Sequence, residues 1–458
     1  MTRLRILALA PDCNPEGITN PLIGYRHAEA LARLHDVTLV TNPSSEDVVR
    51  RADGPFRAIE VVSMPWLDHV QAWVRHIFKF NFRNQVLTAL SVPFSMAFER
   101  RVWRRLKRRI SAGEFDLVLR LLPLSTVTPS PLAFFLRKSE TPFVIGPVNG
   151  GLPWPEGFSQ ADNQKQWISP LRGLYRLLPF ARSTYRCAAA TMAGSSHTYF
   201  ELGEHRDKLF YVPENGLGRS FLTAELRTSS HSGKLELIFV GALVPYKACD
   251  LSLCAAAPLL RSDLARFTVV GDGPERARLE QLTKSLGVEK SVSFAGSVSH
   301  SEVLKLLGSA DVLVFPSVHE FGGAVVIEAL AAGCVPVVAD FGGPGDIVHP
   351  DVGFKVPLST ESDVVAQIEN ILTRLAQNPD LLESLRQRGM SYARETFSWD
   401  AKATVVTRIM LWAVGRGPKP NLPPPLASAG GIGSSRSTIF VHRAGSETTN
   451  SSAGPRRA

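Results

Sequence analysis

Residues 311–346 read DVLVFPSVHEFGGAVVIEALAAGCVPVVADFGGPGD, and this stretch says most about the fold. Two runs of buried-type residues, Val312–Phe315 and Val335–Ala339, have the length and composition of strands in a parallel sheet. Between them lies a short segment of Ala, Val, Ile and Leu that ends at Gly333 and has the composition of a buried helix. The stretch therefore predicts a strand, a helix and a second strand of an α/β protein.

Two carboxylates in this stretch are candidate functional groups. Glu328 lies in the middle of the apolar helix, and Glu320 lies on the loop before it. An ionised acid in such a setting is unfavourable unless hydrogen-bond donors meet it, and sugar hydroxyls are such donors. Gly322 and Gly323 let a ligand approach backbone amides at the helix N-terminus, where phosphate binds well. Glu320 could instead be a helix-dipole or capping residue, and Glu328 could be paired with an arginine elsewhere in the chain. Two interpretations therefore stay open at this point.

The composition is that of a globular protein with more than one domain. The chain has 458 residues, 44% of them hydrophobic and 20% charged, which is too long for one typical core. It has no run of about 20 apolar residues, so we expect no membrane-spanning helix. We interpret the first ten residues as a strand and not as a signal peptide. Five scattered cysteines without paired spacing favour reduced thiols in a cytoplasmic protein.

The net charge of +9 is unevenly spread. From Arg75 to Arg109 there are ten Lys or Arg residues and one acid, Glu99, with aromatic residues interleaved. We expect segment 73–109 to suit an anionic membrane surface, with rings at the interface and cations among the headgroups. A solvated helix whose aromatic side chains belong to the core fits the same pattern. Nucleic acid is not an expected partner.

Strand-like runs alternate with helical segments in both halves of the chain, which predicts parallel, doubly wound sheets. The predicted parts are an N-terminal Rossmann-like domain (1–222), a linker (223–233), a C-terminal Rossmann-like domain (234–400), a final helix (401–414) and a disordered tail (415–458).

The quoted stretch resembles the donor-binding signature of the retaining GT-B glycosyltransferases of family 4, also called glycosyl transferases group 1. The matching residues are Pro316-Ser317, Glu320, Glu328, Gly333, Pro336-Val337-Val338-Ala339 and Gly342-Gly343. The resemblance implies an α/β fold of two Rossmann-like, doubly wound domains that face each other across a cleft. It also implies that the last helix crosses back to pack on the first domain.

The resemblance implies roles for residues of the second domain. Lys247 matches a cation that neutralises the leaving diphosphate, and Glu320 matches the acid that contacts the donor sugar, so these two are the catalytic candidates. Glu328 matches the acid that holds the ribose hydroxyls. The other donor-binding candidates are the amides of Phe321, Gly322, Gly323 and Ala324 toward the phosphates, and the glycine loops of Gly271, Gly296 and Gly24 around the pocket.

The first domain carries weaker signals. His27, Arg120 and Asn149 are the acceptor-side candidates. The stretch that corresponds to the family's Asp-x-x-His-x-His segment has leucines at positions 119 and 121, and the family's Val-Gly-Arg has Ala242 in place of Arg. At these positions the chain lacks the histidines that line the active site in the family and the second cation at the diphosphate.

The sequence thus predicts a glycosyltransferase that moves a sugar from a nucleotide-sugar donor to a lipid-linked or polysaccharide acceptor at the inner face of the cell membrane. The chain has no Asp-x-Asp and no cluster with metal-ligand spacing, so we expect no metal and no cofactor. Retention of configuration is implied by the resemblance. One alternative is a catalytically weakened binding protein of the same fold. A dinucleotide-dependent oxidoreductase is another, but residues 11–24 lack the Gly-x-Gly-x-x-Gly that it predicts.

Overall fold

A computed structural model describes residues 2–64, 84–155, 177–218, 221 and 233–425. Its strands are β1 (Arg5–Leu9), β2 (Asp36–Thr41), β3 (Ala58–Val61), β4 (Leu117–Arg120), β5 (Phe143–Val148), β6 (Ala190–Ala193), β7 (Leu209–Tyr211), β8 (Leu235–Val240), β9 (Ala265–Val270), β10 (Val292–Gly296), β11 (Val312–Phe315), β12 (Val335–Ala339) and β13 (Phe354–Val356).

The helices alternate with these strands along most of the chain. They are α1 (Thr19–Leu34), α2 (Pro43–Arg51), α3 (Asn84–Ser111), α4 (Pro131–Leu136), α5 (Ala181–Cys187), α6 (Ser196–Glu201), α7 (Cys249–Arg261), α8 (Arg276–Ser285), α9 (His300–Ser309), α10 (Ala324–Ala332), α11 (Gly342–Ile347), α12 (Glu361–Gln377), α13 (Pro379–Phe397) and α14 (Trp399–Ala413).

The strands form two parallel sheets with the same order of winding. The N-terminal sheet has the order β3-β2-β1-β4-β5-β6-β7, and the C-terminal sheet has the order β10-β9-β8-β11-β12-β13. In the first sheet, Ile6 of β1 is paired with Val37 on one side and with Leu117 on the other. β11 and β12 have neighbours on both sides and are apolar throughout, as expected of strands that are buried on both faces. The predicted α/β fold with two doubly wound sheets is confirmed.

Apolar side chains cover both faces of the N-terminal sheet. One core includes α1, with Ala28 and Leu31 among its buried residues, and the other includes α3, with Val102 and Leu106. The C-terminal sheet is covered in the same way by α7 and α10 on their buried sides. Each sheet is therefore a framework that holds the loops at its strand ends in fixed positions.

The helix α14, the last one in the described residues, leaves the C-terminal sheet and packs against α1. Val406 and Met410 of α14 are fully buried in the same core as β1. His35 Nε2 lies 2.8 Å from the hydroxyl of Thr407, and Arg33 pairs with Asp400 at 2.9 Å. Because of this return, one end of the chain stabilises the other.

Several predictions concern residues outside the described ranges. These are most of the predicted linker, the tail beyond residue 425, and the first part of segment 73–109, up to residue 83. In the part of the chain that the structure describes, no helix is long and apolar enough to span a bilayer.

Candidate active site

The strand order determines where a ligand site is expected. In each sheet, the winding reverses between the first strand and the fourth, and ligands of such sheets bind beyond the carboxyl ends of the strands at that point. In the C-terminal sheet this position lies between β8 and β11. The loop after β8 carries Lys247, and the loop after β11 carries Glu320. The fold thus brings together two motifs that are 73 residues apart in the chain.

Lys247 and Glu320 form an ion pair at this sheet edge. Lys247 Nζ donates to Glu320 Oε2, and the two side chains are 15% and 22% exposed. The ammonium also lies 5.1 Å from the ring centroid of Phe315, the last residue of β11. Both charged groups remain accessible to a ligand while they are partly shielded from water, which strengthens their electrostatic interactions.

The N-terminus of α10 opens onto the same edge. Gly323 precedes the helix in the left-handed conformation, with φ of 57°, and Ala324 is exposed. The first amides of a helix have no partner within it, and the helix dipole adds positive potential there. The segment from Phe321 to Ala324 is therefore suited to an anion, as the sequence analysis proposes.

Glu328 lies on the second turn of α10 and is 20% exposed. Its Oε1 is 3.8 Å from Nε2 of His300, the first residue of α9. Burial raises the pKa of the Glu328 carboxyl to about 7. His300 is not among the residues predicted from the sequence, since an exposed histidine at a helix start has no distinguishing pattern.

Two predicted glycines lie at the neighbouring strand ends. Gly271 follows β9, and its amide donates to the carbonyl of Gly296, which ends β10, at 2.8 Å. The position of Ala242 is exposed on the loop after β8, so it presents a methyl group where the resemblance leads us to expect a second cation.

The N-terminal half contributes a polar cluster opposite Gly322. Asn149 Nδ2 donates to Glu214 Oε2 at 3.0 Å. Lys402 of α14 is buried close to the same carboxylate and donates to the carbonyl of Pro213. Asn149 is among the residues predicted from the sequence, whereas Glu214 and Lys402 are not, because nothing local distinguishes them from solvated surface charges.

Arg120 does not line the cleft, contrary to the prediction. Its side chain is fully buried, and its guanidinium lies 3.6 Å from the carboxylate of Glu99 on α3. It also donates to the carbonyl of Thr128 at 3.0 Å. Because β4 lies at the centre of a parallel sheet, both faces of this strand are buried, and Leu119 and Leu121 beside Arg120 belong to the core.

The predictions for Gly24 and His27 also need correction. Gly24 lies inside α1 and not on a loop, and it is buried where a Cβ would come within 2.5 Å of Leu122. It therefore serves helix packing and not the approach of a ligand. His27 is 3% exposed, its Nε2 is 3.2 Å from the carbonyl of Glu214, and its ring packs on the edge of Trp399. Because it is enclosed by these contacts, His27 does not line the cleft, and its burial lowers its pKa to about 3.

Loops of the two halves touch beside the candidate site. Trp154 stacks on His319, with ring centroids 4.4 Å apart and an interplanar angle of 26°. Asp346 of α11 accepts a hydrogen bond from the amide of Ser196 at the start of α6, at 2.8 Å. Burial raises the pKa of Asp346 to about 6. Within the described ranges, no group of three or more His, Cys, Asp or Glu residues is arranged to hold a metal ion.

Part of the chain is similar in sequence to known glycosyltransferases. Residues 225–391 match the family model of the glycosyl transferases group 1. A protein of Methanocaldococcus jannaschii called an uncharacterized glycosyltransferase is 33% identical over 184 residues, which are 39% of this chain and 46% of that protein. The chain thus spans about half the length of the curated relatives that it matches.

Solved structures resemble nearly the whole chain in fold. The Anabaena protein HepE in complex with UDP has a TM-score of 0.57 at 16% identity, over 88% of this chain and 98% of that chain. Sucrose-phosphate synthase from Thermosynechococcus elongatus has a TM-score of 0.58 at 17% identity, over 90% and 100%. The fold is therefore that of the GT-B glycosyltransferases, as predicted, and residues 225–391 are related in sequence to glycosyl transferases group 1.

Proposed function

We propose that this protein is a retaining glycosyltransferase of family 4 that moves a sugar from a nucleotide-sugar donor to a lipid-linked or polysaccharide acceptor. The observation that carries the proposal is the Lys247–Glu320 ion pair, which lies at the winding reversal of the C-terminal sheet. The match of residues 225–391 to glycosyl transferases group 1 supports it independently.

The proposed roles follow from charge and position. When the glycosidic bond to the nucleotide breaks, negative charge accumulates on the diphosphate, and preorganised positive groups at that place lower the barrier. Lys247 and the amides at the start of α10 would supply them, so the proposed reaction needs no metal ion. Glu320 would accept hydrogen bonds from hydroxyls of the sugar, and Glu328 would accept hydrogen bonds from the ribose hydroxyls.

A uridine nucleotide is the first donor to test. HepE, which shares the fold, is solved in complex with UDP. A ligand that binds only the folded state stabilises it by about 2.7 kcal/mol at one hundred times its dissociation constant. For a chain of this size we expect the correct donor to raise Tm by about 3 °C.

The experiment is a thermal-shift panel of UDP-, GDP- and ADP-sugars. Glu328→Ala should reduce the shift that the binding donor causes, whereas Glu320→Ala should mainly reduce turnover with an acceptor. Unchanged shifts and rates in both variants would remove the site assignment. With an active acceptor, NMR of the product at early times should show the anomeric configuration of the donor, and the inverted product would contradict retention.

A binding protein of the same fold is the second candidate. It is favoured by Ala242, which leaves the loop after β8 without the second cation, and by the two core leucines at positions 119 and 121. Tight donor binding without transfer or hydrolysis for any acceptor tried would support this alternative over the enzyme.

A further inference from the structure

Glu214 is a buried carboxylate of the N-terminal half whose position the proposed roles leave unexplained. It follows β7 on the loop that leads out of the sheet, and it is 8% exposed. One of its oxygens, Oε2, accepts from Asn149 at 3.0 Å. Among the described residues, none donates a hydrogen bond to the other oxygen, Oε1.

Asn149 fixes the direction of this carboxylate. The hydroxyls of Ser195 and Thr198 lie 2.7 and 3.0 Å from Asn149 Oδ1, so the amide oxygen is held by donors. The amide NH₂ group must therefore point the other way, toward Glu214. With Oε2 held in this manner, Oε1 is turned toward the C-terminal half.

The residue that Oε1 meets is Gly322, on the loop that carries Glu320. A Cβ built on Gly322 would lie 2.5 Å from Glu214 Oε1 and closer still to Asn215 Nδ2. Any side chain at position 322 would collide with this carboxylate. The carboxylate thus reaches across from one half to the loop at which the proposed donor sugar binds.

Two charged groups and one neutral histidine face Glu214. Lys402 lies behind it on α14 and Glu320 lies ahead of it on the loop after β11, while neutral His27 of α1 contacts its backbone carbonyl. Burial, followed by the neighbouring Glu320 carboxylate, raises the pKa of Glu214 to about 7. Burial lowers the pKa of Lys402 to about 7. A buried carboxylate with one oxygen held and one directed outward is suited to accept a hydroxyl hydrogen bond.

We propose that Glu214 binds a hydroxyl of the donor sugar from the N-terminal side of the cleft, opposite Glu320. This inference rests on the proposed function, since it requires a nucleotide sugar at Gly322. Under this proposal, both halves of the protein bind the sugar of the donor, whereas they do not both bind its nucleotide.

The test compares the donor that gives the largest thermal shift with the matching free nucleoside diphosphate, both by titration calorimetry. Glu214→Gln keeps an oxygen for Asn149 and replaces the outward oxygen with an NH₂ group. We expect it to raise the Kd of the nucleotide sugar about ten-fold, as for the loss of one charge-assisted hydrogen bond, and to leave the Kd of the free nucleotide unchanged. Glu204→Gln, on an exposed turn of the same half, should change neither constant.

Glu214→Gln leaves the buried Lys402 without its charged neighbour, so the double variant with Lys402→Met provides a second measurement in case the single variant unfolds. It should show the same selective loss. Unchanged constants for both ligands, or an equal rise in both, would overturn the role of Glu214 and leave the proposed function standing. If the wild-type protein binds no nucleotide sugar and no free nucleotide in the panel, the proposed function fails, and the role of Glu214 fails with it.

Discussion

At the scale of a single residue, Glu328 is an ionisable carboxyl group in apolar surroundings. It lies on an apolar helix, where an ionised carboxylate lowers the stability of the unliganded protein, and it has an exposed fraction of only 20%. A ligand with hydroxyl donors would remove that cost on binding. Such a residue is expected at a binding site and not at a site that serves stability.

The first prediction concerns pH. The pKa of Glu328 is about 7 in the folded protein against an ordinary value of 4.5, so the folded state holds the proton more tightly. The ionised side chain therefore destabilises the protein fully above pH 7, and the effect disappears below pH 4.5, where both states are protonated. Glu328→Gln should raise the unfolding free energy by about 3 kcal/mol at pH 8 and leave it unchanged at pH 4.

Urea denaturation at pH 8, 6 and 4 measures this difference. Glu289→Gln, at an exposed position of the same half, is the matched control and should show no such trend. An equal gain at pH 8 and at pH 4 would mean that packing, and not ionisation, causes the effect.

Arg120 gives the second prediction at this scale. Its only charged neighbour in the described chain is Glu99, which also accepts from the hydroxyl of Ser130 and from the amide of Leu132 at 3.1 Å. Removal of one member leaves a buried charge without its partner, so Arg120→Met should destabilise the protein by about 3–5 kcal/mol. Arg120→Met with Glu99→Leu should recover most of that loss. A fall in kcat/KM at unchanged stability would instead restore the role in the cleft that the sequence analysis gave to Arg120.

These residues show what the sequence could predict. Lys247, Glu320 and Glu328 can be predicted from the sequence because each belongs to a local pattern of strand, loop and helix whose spacing is fixed by the fold. Arg120 and Gly24 are misassigned because their partners, Glu99 and Leu122, come from distant parts of the chain, and no pattern in β4 or α1 indicates which face meets them.

At the scale of elements, α3 presents a row of cations on its solvent side. Arg101, Arg104 and Arg108 are exposed and follow each other at three and four residues, which places them on one face of the helix. The aromatic residues of the same helix behave differently. Phe98 is buried in the core of the N-terminal sheet, and Trp103 packs in part against it, so these two rings support the core interpretation of the basic segment.

The third prediction follows from this face. If α3 binds an anionic membrane surface, the variant with Arg101→Glu, Arg104→Glu and Arg108→Glu should bind vesicles of phosphatidylglycerol and phosphatidylcholine at least ten-fold more weakly in a sedimentation assay, since each cation near such a surface contributes about 1 kcal/mol. Binding of the wild-type protein should fall as salt is raised.

A control with the same change in net charge separates the face from the overall charge. Lys284, Lys290 and Lys305 are exposed on the C-terminal half, and their replacement by Glu should leave most of the vesicle binding intact. Equal losses in the two triple variants would show that net charge, and not α3, governs the association.

At the scale of the whole molecule, loop side chains of the two halves meet beside the candidate site. Leu152 of the N-terminal half packs with Phe341 of the C-terminal half, next to the stack of Trp154 on His319. These contacts lie beside the candidate site, so a ligand bound there would affect the same junction. The fold class could be predicted because each sheet follows from local alternation, but the junction could not, since it depends on loops whose sequences have no regular period.

The fourth prediction tests the junction. Trp154→Ala should loosen the contact between the halves and increase the radius of gyration of the unliganded protein in solution scattering, and a binding donor should reverse the increase. Trp103→Ala removes a ring that stacks on Phe135 within one half, so it should lower stability without a change in dimension. An unchanged radius for Trp154→Ala would show that other contacts suffice to hold the halves together.

The return of α14 to α1 has a consequence for how the chain folds as it is synthesised. The core beneath β1 stays incomplete until Val406, Ile409 and Met410 are made, about 200 residues after the last strand of the N-terminal sheet. At 5–20 residues per second, the apolar side of α1 therefore stays exposed for about 10–40 s after β7 is made. The N-terminal half is therefore the first to form its sheet and the last to complete its core. In the cell, the interval between the synthesis of β7 and that of α14 is the one in which a chaperone would bind the exposed side of α1.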